Sequence, residues 1–273
     1  MSSRLPEAEE LRGICAGTAE AAGRWLVDWR AGRTTLATRT KSSPTDVVTE
    51  ADQEVEALIR GRLTAAHPRA AWWGEESGRA TGSEEEGALE WVVDPIDGTV
   101  NFLYDLPGWS VSIAAAVRGQ VVAGAVAIPT LDELYSASMG GGAWLETSRD
   151  RRRRLAVSAC HDLSQALVAT GFAYDPRLRA VQGRAVGLML GRVRDIRRAG
   201  AASVDFCSLA AARVDAYVER RLQPWDRAAG ALIAREAGAV VDEHPDGSVV
   251  ASGPALHPAL SGLLDDVGAW DGS

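Results

Sequence analysis

Apolar residues recur at three- and four-residue spacing through Leu11, Ile14, Cys15, Ala22, Trp25, Leu26 and Trp29, which predicts an amphipathic first helix that Gly32 ends. Thr49 to Asp52 open a second helix carrying Val55, Leu58, Ile59 and Leu63, and Thr49 with Asp52 also fits an acidic capping box. The period then changes. Trp91-Val92-Val93 reads as a buried strand running into Asp94. Ser110–Val117 and Val121–Ile128 form a hairpin, and residues 133–137 add a further short strand. In the second half the pattern predicts strands at 166–170, 193–196 and 214–218. It predicts helices near 177–191, at 203–212 and at 225–237, the last with Ala228, Leu232, Ile233 and Ala237 on one face. Residues 33–47, mixed polar with Ser-Ser-Pro, predict a hairpin or mobile loop, and residues 78–90 an exposed connection. No repeat or linker separates a first half of about 5–145 from a second of about 155–268, so the alternation predicts one compact α/β unit over 1–273.

Composition narrows the classes of function. With 46% hydrophobic residues in 273, the chain can bury a sizeable core. No apolar run is long enough to cross a bilayer, and the acidic start Met1–Glu10 lacks a basic export leader, so a cytoplasmic protein with no membrane partner is expected. Cys15, Cys160 and Cys207 are odd in number and widely spaced, suggesting neither disulfides nor zinc, and each reads as a small buried residue. A net charge of -8, from 29 basic and 37 acidic residues, argues against a nucleic-acid partner. The basic run 149–154, broken by Asp150, reads as a solvated turn. His67, His161, His244 and His257 are scattered and read as loop residues. Ser158 and Ser203 lack the Gly-x-Ser-x-Gly setting of a serine nucleophile. The nine Trp residues read as core or oligomer surface.

Candidate chemistry concentrates in Asp94-Pro95-Ile96-Asp97-Gly98-Thr99. Two carboxylates at the carboxyl end of a strand lie where ligands of open α/β sheets bind. The Gly-Thr that follows can turn bare N–H groups toward an anion. An isolated Asp-Gly is equally a hairpin turn, with Asp94 an exposed strand end. Three other segments change the balance: Lys41-Ser-Ser-Pro-Thr-Asp46-Val-Val-Thr49-Glu-Ala-Asp52, Trp73-Gly-Glu75-Glu76-Ser-Gly78 and Pro224-Trp225-Asp226-Arg-Ala-Ala-Gly230. In this order the four segments resemble the inositol monophosphatase family, over nearly the whole chain.

The resemblance implies a layered αβαβα sandwich of the inositol monophosphatase / fructose-1,6-bisphosphatase type. It also implies a Mg²⁺-dependent, lithium-sensitive phosphomonoesterase, active as a homodimer. An oxygen-only ligand set suits Mg²⁺, with Mn²⁺ as a surrogate. Carried over by position, Glu75, Asp94 and the Ile96 carbonyl would hold one ion, and Asp94, Asp97 and Asp226 a second, with two or three ions in all. Glu76 receives no ligand role. Asp52 and Thr99, with Glu75 nearby, would orient the attacking water and accept its proton. The N–H groups of Gly98 and Thr99 would hold the phosphate. Gly200, Ala201 and Ala202 would lie against the leaving group with Asp97 and Asp226, and Glu219 matches the acid that contacts inositol hydroxyls. Two departures stand out: Ala201 replaces the family's Ser or Thr, and Ala239 stands where a second glycine is usual. By its residues alone Glu219 could equally be a solvated strand end beside Arg220 and Arg221.

Magnitudes favour a metal mechanism. Phosphate monoester hydrolysis is accelerated by up to ~10²¹, whereas one hydrogen-bond donor contributes about 3–4 kcal/mol. Two ions about 3.5–4 Å apart can activate water and clamp the phosphoryl oxygens. The expected substrate is myo-inositol 1-phosphate or a similar small phosphorylated polyol. The same chemistry on histidinol phosphate, a nucleotide 3′-phosphate, NADP or fructose bisphosphate is the second reading, and an inactive regulatory or binding homologue the third.

Overall fold

The computed structural model describes residues 7–33, 38–40, 47–82, 89–150 and 152–269, with 38–40 and 47–49 described as backbone only. The chain opens with α1 (Ala8–Arg30), β1 (Thr38–Thr40), β2 (Val47–Thr49) and α2 (Glu50–Ala66). β3 (Ala71–Gly74), β4 (Gly78–Ala80), β5 (Leu89–Asp97) and the short α3 (Thr99–Leu103) follow, then β6 (Ser110–Val117), β7 (Gln120–Ile128), β8 (Glu133–Ser138), β9 (Gly142–Glu146) and β10 (Arg153–Arg154). The second half runs β11 (Leu167–Thr170), α4 (Pro176–Met189), β12 (Asp195–Arg197), α5 (Ala202–Ala210), β13 (Ala216–Glu219), α6 (Pro224–Glu236), β14 (Val240–Glu243), β15 (Val249–Ser252) and α7 (His257–Asp266).

These elements stack in five layers. An eight-stranded sheet has the order β10-β9-β8-β7-β6-β5-β3-β4, antiparallel except for the parallel pair β3 and β5. Its one face packs on α1 and α2 through Leu11, Leu26, Val55, Ile59, Trp91 and Ile113. Its other face packs on α5 and α6 through Val92, Val126, Tyr135, Val204 and Ile233. Phe206, Ala231 and Ala234 carry those two helices onto a five-stranded sheet of order β12-β11-β13-β15-β14. Ala185, Met189, Leu260 and Leu264 of α4 and α7 cover its far side. The alternation is αβαβα, as the motifs imply. Each buried stripe is long enough to stabilise its layer, since burying a single Leu or Ile side chain contributes about 1.5–3 kcal/mol.

The periodic segments formed the elements their spacing predicts, and the departures have local causes. β1 and β2 pair antiparallel, while residues 41–46, with Lys41 and Asp46, lie outside the described residues. The connection expected over 78–90 begins as β4, because Gly78 at φ 71 reverses the chain and pairs it back on β3. The basic run is not simply a solvated turn: it ends in β10 on the edge of β9, and the guanidinium groups of Arg152 and Arg154 lie over Trp144 at 4.1 and 5.8 Å. His257 is not a loop residue. It begins α7, buried between Ser252 Oγ at 3.1 Å and Asp242 Oδ2 at 2.9 Å. Cys160 is half-buried rather than buried like Cys15 and Cys207.

Candidate active site

Asp94 and Asp97 are an odd number of residues apart, so an unbroken strand would point them to opposite faces. The register prevents that. Asp94 pairs with Ser112 and Asp97 with Ser110, so three steps on β5 match two on β6. Pro95 and Ile96 form the bulge, and the Ile96 N–H donates to Asp94 Oδ1 at 3.1 Å across it. Both carboxylates therefore face the side covered by α5 and α6. Asp94 is buried and not an exposed strand end.

Glu75 reaches the same place from β3, which runs parallel to β5. The three-residue turn Glu75–Ser77 joins β3 to β4, and the Glu75 N–H donates to Val93 O at 3.1 Å, locking the turn beside Asp94. Asp226 comes from the other covering element, in the first turn of α6, where its carboxylate accepts the Gln223 N–H at 2.6 Å. Trp73 and Trp225, the neighbours of Gly74 and Asp226, meet edge-on with ring centres 6.2 Å apart. The strand end and the helix start are thereby tied.

The electrostatics agree with one cluster of mutually repelling acids. Burial, then Glu75, Asp97 and Asp226, push the Asp94 carboxyl well above the usual carboxylate range, and Asp94 shares a hydrogen bond with Glu75. Burial, then Asp97 and Glu75, do the same to Asp226. Among the described residues no three of them stand as a finished ligand cage; Asp94, Asp97 and Asp226 each accept a backbone N–H of the protein. The donor set, all oxygen, half to fully buried and mutually repelling, fits a hard divalent cation, which would relieve the repulsion that now raises Asp94 and Asp226.

Asp97 is held differently. Its Oδ2 accepts the Ser203 N–H at 2.7 Å and the Ser203 hydroxyl at 2.5 Å, and its Oδ1 the Ala202 N–H at 3.3 Å. The residue at the N-cap of α5, Ala201, offers no side-chain acceptor, so Asp97 caps that helix from another sheet. Ser110 Oγ completes the network 2.6 Å from Ser203 Oγ. Burial raises Asp97 to about 6, against the lowering by Ser203.

Gly98, Thr99, Gly200 and Glu219 lie around these acids. Gly98 adopts φ 87, and an added Cβ would meet the Ala201 Cβ at 3.1 Å and the Gly200 carbonyl at 3.4 Å, which leaves room for no side chain between the loops. Gly200, at φ 101, lies against Asn101, whose amide donates to Ala199 O at 2.9 Å and Gly108 O at 3.1 Å. The Thr99 hydroxyl donates to the Ile96 carbonyl at 3.0 Å. Glu219 ends β13 half-buried, not solvated, accepting the Tyr217 hydroxyl at 2.7 Å. Burial raises it to about 7, with Tyr217 and Arg198 opposing. Asp205, one turn into α5, is buried, and burial with Glu219 and Asp97 raises it as well. Asp52 is fully buried in the first turn of α2, and its expected capping partner, Thr49, has no described side chain. Ser203, Ser110, Asn101 and Glu56 escaped the sequence reading. Ser203, which lacks a nucleophile's setting, serves as a donor to Asp97.

The sequence profile of the Inositol monophosphatase family matches residues 7–265. The chain belongs to the inositol monophosphatase family. It is 46% identical over 237 residues to the inositol-1-monophosphatase of Mycobacterium leprae, covering 84% of this chain and 81% of that protein. It is also 35% identical to the Nus factor SuhB of Escherichia coli K12, over 81% of this chain and 83% of that one. Among solved structures, Mycobacterium tuberculosis SuhB superposes with a TM-score of 0.85 at 39% identity, covering 98% of this chain and all of its own. An inositol monophosphatase from Anabaena gives 0.81 at 30% identity, covering 94% of this chain and 96% of its own. Membership supports a phosphatase, in a family that is generally metal-dependent. Among the described residues no helix is long and apolar enough to cross a membrane.

Proposed function

We propose that this chain is a Mg²⁺-dependent phosphomonoesterase acting on myo-inositol 1-phosphate or a closely similar polyol phosphate. The observation that carries the reading is the gathering of Glu75, Asp94, Asp97 and Asp226 by the turn after β3, the bulge of β5 and the start of α6 into one cluster of mutually repelling acids. Glu75, Asp94, the Ile96 carbonyl, Asp97 and Asp226 would hold two or three ions. Bound Mg²⁺, or Mn²⁺ in its place, supplies neutralising charge to the phosphoryl oxygens and lowers the pKa of water.

The protein's own groups supply orientation. With its hydrogen committed to Ile96 O, Thr99 Oγ1 presents lone pairs to an attacking water and aims it. Asp52 takes the proton. The N–H groups of Gly98 and Thr99, where α3 begins, bind phosphate oxygens. On the leaving-group side Glu219, oriented by Tyr217, accepts hydroxyl hydrogens of a polyol, while the Gly200–Ala202 backbone lies beside it. Ala201 offers no hydroxyl there, which narrows recognition to backbone and Glu219. We read both halves as a single catalytic unit, 1–273, working in the cytoplasm as a homodimer.

Phosphate release with Mg²⁺ across myo-inositol 1-phosphate, histidinol phosphate, a nucleotide 3′-phosphate, NADP and fructose bisphosphate tests this. Highest kcat/KM on the inositol ester, with inhibition by lithium, is the expected result. Preference for histidinol phosphate would replace the substrate and keep the chemistry. No turnover on any ester would favour a binding role, a second reading prompted by the relatives named Nus factor SuhB.

A further inference from the structure

Glu56 lies outside every motif that marks the site, one turn beyond Asp52 on α2, yet it is only 4% exposed. Its carboxylate meets no cation among the described residues. It accepts two backbone donors instead, the Glu76 N–H on Oε2 and the Ser77 N–H on Oε1, both at 2.9 Å. Together with the Glu75 N–H on Val93 O, three consecutive backbone donors are fixed. The whole turn that carries Glu75 is therefore clamped, from β5 on one side and from α2 on the other.

Two neighbours are arranged around the clamp. Gly74 must lack a side chain, since a Cβ there would sit 2.7 Å from Glu56 Oε2 and 2.6 Å from the Trp72 indole nitrogen. That indole N–H in turn donates to Ser77 Oγ at 2.8 Å. A carboxylate is the one side chain of this length whose two oxygens both accept, so it satisfies both N–H groups at once, and charge-assisted bonds of this kind are the stronger ones. Burying a further acid close to an already crowded acidic groove is costly, which makes a merely space-filling role a poor account of it.

We infer that Glu56 is a positioning residue for the metal site: it sets the turn at Glu75–Ser77 so that the Glu75 carboxylate meets Asp94 at the spacing a shared divalent ion requires. The inference rests on the metal-dependent reading above. Partners behind a metal ligand govern affinity strongly, and their removal typically costs about 10–100-fold.

The test uses the full chain, stripped of metal with EDTA, and titrates MgCl₂ calorimetrically without substrate for wild type, Glu56→Gln and Glu56→Asp. Far-UV circular dichroism and melting are recorded first. Glu56→Gln keeps the shape and loses one acceptor; Glu56→Asp keeps both oxygens and the charge but withdraws them by one methylene. The expected result is Mg²⁺ affinity weakened about 10–100-fold in Glu56→Gln and less in Glu56→Asp. The Mg²⁺ concentration for half-maximal phosphate release should rise in step, while KM for the ester at saturating Mg²⁺ moves little. If Glu56→Gln does not fold, Glu56→Asp decides. A folded variant that binds Mg²⁺ as wild type does, whatever its melting temperature, would overturn the positioning role and leave the phosphatase reading standing. Failure of the wild-type chain itself to bind Mg²⁺ would overturn both.

Discussion

Asp94 and Asp97 stand on one strand, face one groove and are both buried, yet the protein treats them in opposite ways. Asp97 is solvated by the fold: three donors at the start of α5 stabilise its negative charge. Asp94 receives one backbone N–H and otherwise faces other acids. Burial raises both, but only Asp97 is brought back to about 6, whereas Asp94 stays well above its ordinary range. On the metal-dependent reading proposed above, the difference teaches which ligand gains most from a bound cation: Asp94, which the fold leaves among acids, more than Asp97, which it already supplies with donors. One end of the groove is built to need neutralising charge; the other is built to hold an element of the second half in place.

The largest effect that could break this contrast is on turnover. Asp94→Asn should lower kcat with Mg²⁺ by on the order of 10³-fold or more, the several kcal/mol of charge stabilisation a catalytic ion provides. At alkaline pH, where the fold would have to carry an ionised Asp94, the same substitution should raise the melting temperature of the EDTA-treated protein, because it removes the repulsion from Glu75, Asp97 and Asp226. Retained turnover, or a metal-free protein made less stable, would erase the distinction.

Next in size is the pH dependence of stability. Acids whose folded pKa lies above the unfolded value bind their protons more tightly when folded, so their stabilisation is complete below the unfolded pKa of about 4. It is lost as pH rises through the folded values, about 6 for Asp97 and about 7 for Glu219, with Asp94 and Asp226 acting in the same direction. Thermal melts in EDTA should therefore fall between pH 5 and pH 8. Saturating Mg²⁺ should flatten or reverse the slope, and identical slopes with and without the ion would count against shared coordination.

A smaller effect sharpens the capping half of the comparison. Asp97→Asn and Asp97→Ala remove the same charge, but only Asn keeps an oxygen for the N–H groups of Ala202 and Ser203. In urea denaturation without metal the Ala variant should be the less stable of the two by about 0.5–2 kcal/mol, the usual worth of an N-cap. Smallest is Tyr217→Phe, which removes the donor that orients Glu219. It should cost about 0.5–1.5 kcal/mol, read as a rise in KM for the polyol ester with kcat little changed.

Much of this was legible in the sequence. The helical spacing from Leu11 to Trp29 and the hairpin through Arg118-Gly119-Gln120 are local patterns, and local patterns survive folding. The four acids could be named because their motifs are contiguous. Less visible were features that depend on two segments at once. The bulge at Pro95 and Ile96 decides that Asp94 and Asp97 share a face, and nothing in a one-dimensional alternation announces it. Ser203 became a donor only because α5 begins beside β5, 106 residues away in the chain. Glu56 resembled its solvated helix neighbours Gln53 and Glu54, and its one trace in the sequence is the glycine at 74 that makes room for it. β14, β15 and α7 are short, and Val240-Val241 and Val249-Val250 are too brief to establish a period.

The central claim, that four protein carboxylates are gathered to be neutralised by Mg²⁺, is tested most directly by calorimetric titration of the metal-free chain with MgCl₂ at pH 6 in two buffers of different ionisation enthalpy. Wild type should bind the ion and release protons from the acids that the fold keeps protonated, whereas Asp94→Asn should bind it far more weakly. Absence of binding, or equal binding by both proteins with no proton released, would contradict the account.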